Sequence, residues 1–210
     1  MKKIYIEGII ASSEDEFLYS WMGYQVATPQ KLRESLKEAS GEEVELWINC
    51  YGGDVWSAVN MYDQLTSYEG KITAIISGLS ASASTIVMLG ANEVKASLGS
   101  QFMIHNATTA ASGDYRDLES GAQKAKTSND SIKAIYVKKT GMSYEDLTAL
   151  MDAETWYSSR DAKDAGLIDE IIDFSDERLV ASSITDEVKE RFEKMKAYEL
   201  KKLNLEKERF

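Results

Sequence analysis

An imidazole is the one side chain whose ordinary titration falls between pH 5 and 8, and this chain has one, His105. It stands just past the apolar run Gln101 to Ile104 (QFMI). Catalytic and ligand groups gather at strand ends in alternating folds, although a hydrogen-bonded edge histidine would fit there too. Three serines, Ser80, Ser82 and Ser84, lie in Gly78 to Leu89 (GLSASASTIVML), where small residues lead into an apolar helix-like run. Small side chains at a strand-to-helix turn let a hydroxyl stand clear of the backbone and a substrate come close. They also permit plain tight packing. In Ile48 to Asp54 (INCYGGD), paired glycines leave a strand and a helix follows, which exposes backbone N–H groups suited to an anion. The lysine and hydroxyl of a phosphate loop do not follow. Asp152 to Ser158 (DAETWYS) sets two acids, Asp152 and Glu154, beside Trp156 and Tyr157. A carboxylate held there needs a partner, and His105 could be it. One His and one Cys, without clustered ligand spacing, make a metal site an unpromising use of these residues.

The elements that must position these groups alternate between strand and helix patterns, so the fold class is α/β. Val44 to Ile48, Ile72 to Ser77 and Gln101 to Ile104 are expected strands, with Glu93 to Ala96 a shorter one and Met1 to Gly8 alternating like a first strand. Val55, Val59, Tyr62 and Leu65 repeat at helical spacing after Asp54, a good N-cap, and Gly70 closes the segment. A long helix is expected from about Asp117 to Lys139, ending at Gly141; Ser143, with Asp146 three residues on, opens another. After Ile168 to Ile172 the composition shifts to a charged segment. The expected organisation is one domain over 1–175 and a charged helical extension over 176–210.

The 210 residues carry 35 Asp+Glu against 24 Lys+Arg, a formal charge of -11. That balance opposes nucleic-acid backbones and anionic membranes as partners. No apolar run approaches the roughly 20 residues of a membrane span. The single Cys50 cannot form an internal disulfide, and no secretory signal is visible at the start. A cytoplasmic location is expected.

Taken in order, NCYGG (Asn49 to Gly53), GLSAS (Gly78 to Ser82), MIH (Met103 to His105), ETWYS (Glu154 to Ser158) and DAGLID (Asp164 to Asp169) resemble the proteolytic subunit of the Clp protease family. That family carries NSPGG, GxAxS, MIH, an acid before an aromatic and Ser/Thr, and an EYGLID-like end. The similarity runs from about Ile4 to Ile172. It implies a superhelix of repeated β-β-α units, the fold shared with crotonases, and serine endopeptidase activity. It also implies Ser82 as nucleophile, His105 as general base and Glu154, or its neighbour Asp152, as third member. The oxyanion donors fall on the amides of Gly53 and Ala83. The implied assembly is a homo-oligomeric ring, a heptamer or stacked double ring, with the long helix in the inter-ring handle. No cofactor is implied in this chain, ATP entering only through a partner unfoldase.

Departures from the family pattern bear on these expectations. Glu154 replaces the usual aspartate, and Tyr51 replaces the proline before the glycines. The chain starts directly at its first strand, leaving little for the axial loops that engage Clp-type ATPases, so dependence on one stays open. This pattern is similar to Clp-like proteases of phages and prophages, which implies capsid or scaffold proteins as substrates. The segment Asn106 to Tyr115 is a candidate edge strand for an extended peptide. Two other possibilities remain: a crotonase-type acyl-CoA enzyme with no essential serine, and an inactive ring scaffold. A Ser-Lys dyad on a related fold would have to use Lys71 or Lys95, around which no such motif stands.

Overall fold

The computed structural model describes residues Met1 to Phe174. The charged extension expected over 176–210 lies outside the described residues. Within them, Met1–Asp173 pack as one unit. The chain runs β1 (Lys2–Ile10), α1 (Glu16–Trp21), β2 (Val26–Ala27), α2 (Pro29–Ala39), β3 (Val44–Gly53), α3 (Val55–Thr66), β4 (Ile72–Ala81) and α4 (Ala83–Met88). It continues with β5 (Glu93–Ser97), β6 (Gln101–Ile104), α5 (Tyr115–Thr140), α6 (Tyr144–Asp152), β7 (Thr155–Ser158), α7 (Ser159–Asp164) and β8 (Glu170–Ile172).

The backbone of the sheet is the order β2-β1-β3-β4-β5-β8, with every neighbouring pair parallel. Parallel strands covered on both faces need apolar side chains throughout, and Leu46, Ile48, Ile72, Ala74, Ile76 and Val94 are all fully buried. β4 is long enough to pair twice. Thr73 to Ile76 align with Glu93 to Ala96 of β5, and Leu79 to Ala81 align with Gln101 to Met103 of β6. This hand-over from β5 to β6 along one strand is what turns the sheet towards a second layer, where β7 closes antiparallel on β6.

β3 and β4 both run past the ends expected from their apolar cores, to Gly53 and Ala81. Glycine and serine there do not end the strands; they bend them. The register moves from Ile48↔Ile76 to Cys50↔Ser80, so β4 carries two extra residues. Asn49 fills the bulge by accepting the Leu79 N–H on Oδ1 at 3.2 Å. A side chain at Gly78, where φ is 126°, would meet that same Oδ1 at 2.9 Å.

The helix boundaries follow capping chemistry. Asp54 Oδ1 accepts the Ser57 N–H at 2.8 Å to start α3. Asp114 and Asp117 form a reciprocal capping box on α5, Gly141 ends that helix at φ 72°, and Ser143 caps α6. Helix α3 stops at Thr66, short of Gly70, whose place is a tight approach to the carbonyls of Glu42 and Gly41. The candidate edge strand from Asn106 onwards is not a strand: residues 105–114 form no ladder, and the Ala107 N–H is taken by the Asn129 side chain at 2.8 Å.

Candidate active site

Two ladders converge on one point. On β4 and β6 the pair Ala81↔Met103 is the last rung, and the Ser82 N–H donates to the Met103 carbonyl at 2.8 Å. The chain leaves both strands just beyond that rung, which brings Ser82 and His105 together: Ser82 Oγ lies 2.7 Å from His105 Nε2. On the other edge, β7 runs antiparallel with Ile104↔Thr155, so the residue facing His105 is the one before Thr155. That residue is Glu154. Its Oε2 stands 3.8 Å from His105 Nδ1, an ion-pair distance longer than a hydrogen bond. The Glu154 side chain is 59% exposed and that of His105 26%.

Asp152 is occupied elsewhere, its Oδ1 accepting from Asn106 Nδ2 at 2.7 Å. Of the two acids, the antiparallel register sets Glu154 opposite His105, while Asp152 bonds the side chain of Asn106. Of the three serines, Ser80 and Ser84 are fully buried and bonded to each other, Oγ to Oγ, at 2.9 Å. They pack the turn, and only Ser82 opens to the cleft with His105.

The Ser82 backbone adopts φ 54° and ψ -130° between β4 and α4, a region in which a non-glycine residue is strained by about 1–3 kcal/mol. Such a turn lifts a hydroxyl above the strand ends. Gly52 makes it possible from below. A Cβ on Gly52, at φ 95°, would sit 2.6 Å from the Ala81 carbonyl, 2.8 Å from Ser82 Cβ and 2.9 Å from the Ala83 nitrogen. A Cβ on Gly53 would collide with the Ile10 carbonyl at 2.0 Å. Ala83 is the first residue of α4, where N–H groups have no intrahelical acceptor. Gly53, Ser82 and His105 line one cleft of about 620 Å³. Beneath it, burial pushes the Cys50 thiol above its ordinary range, and the Gly52 N–H donates to Cys50 Sγ at 3.4 Å. Cys50 is fully buried, a setting in which a thiol packs as a small apolar side chain.

Two residues assigned no role from the sequence brace the turn. Thr85 Oγ1 donates to the Ser82 carbonyl at 2.6 Å and lies 2.5 Å from the hydroxyl of Tyr136 on α5. Tyr136 is 1% exposed, and burial pushes its phenol up to about 12. A continuous hydrogen-bonded chain thus connects the middle of the molecule to the backbone of Ser82. No motif marks it, because Thr85 and Tyr136 are 51 residues apart and either could pack as a core side chain. Among the described residues, no group of three His, Cys, Asp or Glu is placed to hold a metal ion.

Comparison with known proteins identifies the family and the fold. The family model described as Clp protease matches residues 29–175. The chain is 29% identical over 134 residues to an ATP-dependent Clp protease proteolytic subunit of Deinococcus radiodurans, covering 63% of this chain and 66% of that protein. It is 28% identical over 134 residues to the subunit of the same description from Bacteroides fragilis, covering 63% of this chain and 65% of that one. The chain therefore spans slightly less than two thirds of these relatives. Among solved structures, a ClpP1 mutant from Listeria monocytogenes superposes with a TM-score of 0.68 at 22% identity, over 83% of this chain and 92% of that one. That likeness establishes the fold, an α/β arrangement of the ClpP type. With the family match extending over more than half of its length, the chain belongs to the Clp protease family.

Proposed function

We propose that this protein is a serine endopeptidase that cleaves protein substrates at Ser82. The observation that carries the proposal is the 2.7 Å approach of Ser82 Oγ to His105 Nε2 at a strained strand-to-helix turn. A hydroxyl is a weak nucleophile until an adjacent base takes its proton. For Nε2 to accept, the ring must carry its proton on Nδ1, the nitrogen that faces Glu154. Glu154 then holds this tautomer and stabilises the imidazolium that forms as Ser82 attacks a peptide carbonyl. Closing the 3.8 Å gap to hydrogen-bond length needs only a side-chain adjustment of an exposed residue, and catalytic contacts often tighten when substrate binds.

The amides of Gly53 and Ala83 are proposed to hold the oxyanion. Support comes from the missing Cβ of Gly52, which leaves the approach to Ser82 and the Ala83 nitrogen unobstructed. His105 returns the proton to the leaving amine, and water releases the acyl-enzyme by the same route. Family membership supports a homo-oligomeric ring around these sites. Capsid or scaffold proteins are the proposed natural substrates, on the strength of the resemblance described above. The test is to incubate wild type and Ser82→Ala with an unstructured protein and with a candidate scaffold protein, following fragments by mass spectrometry. Cleavage by wild type alone is expected; equal cleavage by both, or none by either in the assembled state, would refute the proposal.

A further inference from the structure

The cleft holding Ser82 and His105 has a lining unlike a greasy specificity pocket. At the start of α3, Val55 and Trp56 supply apolar surface. The rest is mostly polar: Ser120, Gln123, Lys124 and Thr127 contribute from α5, and Thr108 and Thr109 from the segment after His105. Among the described residues, Lys124 is the only lysine or arginine lining it, and its ammonium has no acid partner there. Asp54, the one carboxylate of the lining among the described residues, is engaged with its own helix, accepting the Ser57 N–H at 2.8 Å.

Resting on the peptidase reading, we propose that this cleft selects an acidic residue on the acyl side of the scissile bond, with Lys124 as the specificity-determining residue. A leucine side chain entering the cleft would strip water from an ammonium and from the hydroxyls of Thr108, Thr109 and Ser120 without replacing those hydrogen bonds. A glutamate or aspartate replaces them with charge-assisted ones. A lysine meets like charge. The chain's overall charge of -11 repels acidic peptides at long range, so a local cation is what makes an acidic residue welcome at this one place. Because Lys124 is exposed, the selection is moderate and screened by salt.

The test uses peptidyl diphenyl phosphonates that differ only in the final residue: Glu, Gln, Leu or Lys. Each forms a bond from Ser82 Oγ to phosphorus, expels phenoxide and passes the serine proton to His105, so the rate reads recognition without needing turnover. Rates are normalised to a small alkyl fluorophosphonate that has no peptide. The Glu reagent is expected to react about five- to tenfold faster than the Lys reagent, and faster than Leu. The Glu-over-Lys order should reverse in Lys124→Glu, narrow in Lys124→Gln, and shrink for wild type in 0.5 M salt, where the Debye length falls to about 4 Å from about 10 Å at 0.1 M. A preference for Leu in wild type, or a ranking unmoved by Lys124→Glu, overturns the subsite while the alkyl reagent still labels Ser82. Failure of the alkyl reagent to label Ser82 overturns the peptidase reading itself and the subsite with it.

Discussion

Removing the hydroxyl chain from Tyr136 to Ser82 should separate stability from catalysis. Tyr136→Phe keeps the ring and deletes one hydrogen bond, so it should cost about 1 kcal/mol of stability. Thr85→Val keeps the shape but strands the Tyr136 phenol in the core, at about 1–3 kcal/mol. The double variant removes both partners. The Ser82 carbonyl still receives the Thr85 N–H at 2.9 Å, so nothing buried is left unpaired, and stability should return to within about 1 kcal/mol of wild type. Catalysis should not return with it. Without the Oγ1 anchor at 2.6 Å, the strained Ser82 backbone relaxes and its hydroxyl drifts from Nε2. Displacements approaching 1 Å cost up to about 100-fold, so a loss of about tenfold in acylation rate is expected. Urea unfolding gives the stabilities, and the rate of Ser82 labelling by an alkyl fluorophosphonate gives the acylation. A double variant that is stable and labels at the wild-type rate would refute the argument, as would labelling that simply tracks stability across all three variants.

Other consequences are open to measurement. Ser82→Gly should be more stable than Ser82→Ala by about 1–3 kcal/mol in urea unfolding, because only glycine tolerates φ 54° and ψ -130° without strain; equal stabilities would show that the turn is relaxed. Glu154→Ala should slow acylation by about 10²-fold, and Asp152→Ala by less than about tenfold, since Asp152 serves Asn106; the reverse order would transfer the orienting role to Asp152. Tyr157, whose hydroxyl is buried with no hydrogen-bond partner among the described residues, should gain about 1 kcal/mol on replacement by Phe, and a loss would reveal a bond to that hydroxyl. The Tyr136 phenol is raised from its ordinary 10 to about 12, so its contribution is full below pH 10. Above pH 10 the unfolded chain ionises and the folded one does not, so stability falls as pH rises towards 12. Urea unfolding at pH 8 and 11 should show a smaller alkaline loss for Tyr136→Phe than for wild type; an identical loss would locate it elsewhere.

Much of this architecture was legible because the deciding forces are local. Asp54, Ser143 and Gly141 cap helices where their chemistry says they should, and buried strands announce themselves as runs rich in apolar and β-branched residues. Helix α2 carried readable signals too: Thr28 as cap, Pro29 at the first turn, and Leu32, Leu36 and Ala39 at helical spacing. Helix α1 has no buried residue, so periodicity had no core to reflect. What stayed hidden was non-local. The extra residues in β4 depend on Asn49 reaching across from β3, and the choice of Glu154 over Asp152 beside His105, which the resemblance left open, depends on the β6–β7 register. The brace from Tyr136 depends on where a 26-residue helix comes to rest. The glycine turn, the serine turn and the histidine were each ambiguous singly, and their order along the chain carried the family resemblance.

The most direct measurement is to map the adduct left by an alkyl fluorophosphonate on the native protein. The account predicts a single modified residue, Ser82, with Ser80 and Ser84 untouched and labelling abolished in His105→Ala. An unmodified Ser82 in folded protein, or labelling that persists at the wild-type rate without the imidazole, would contradict it.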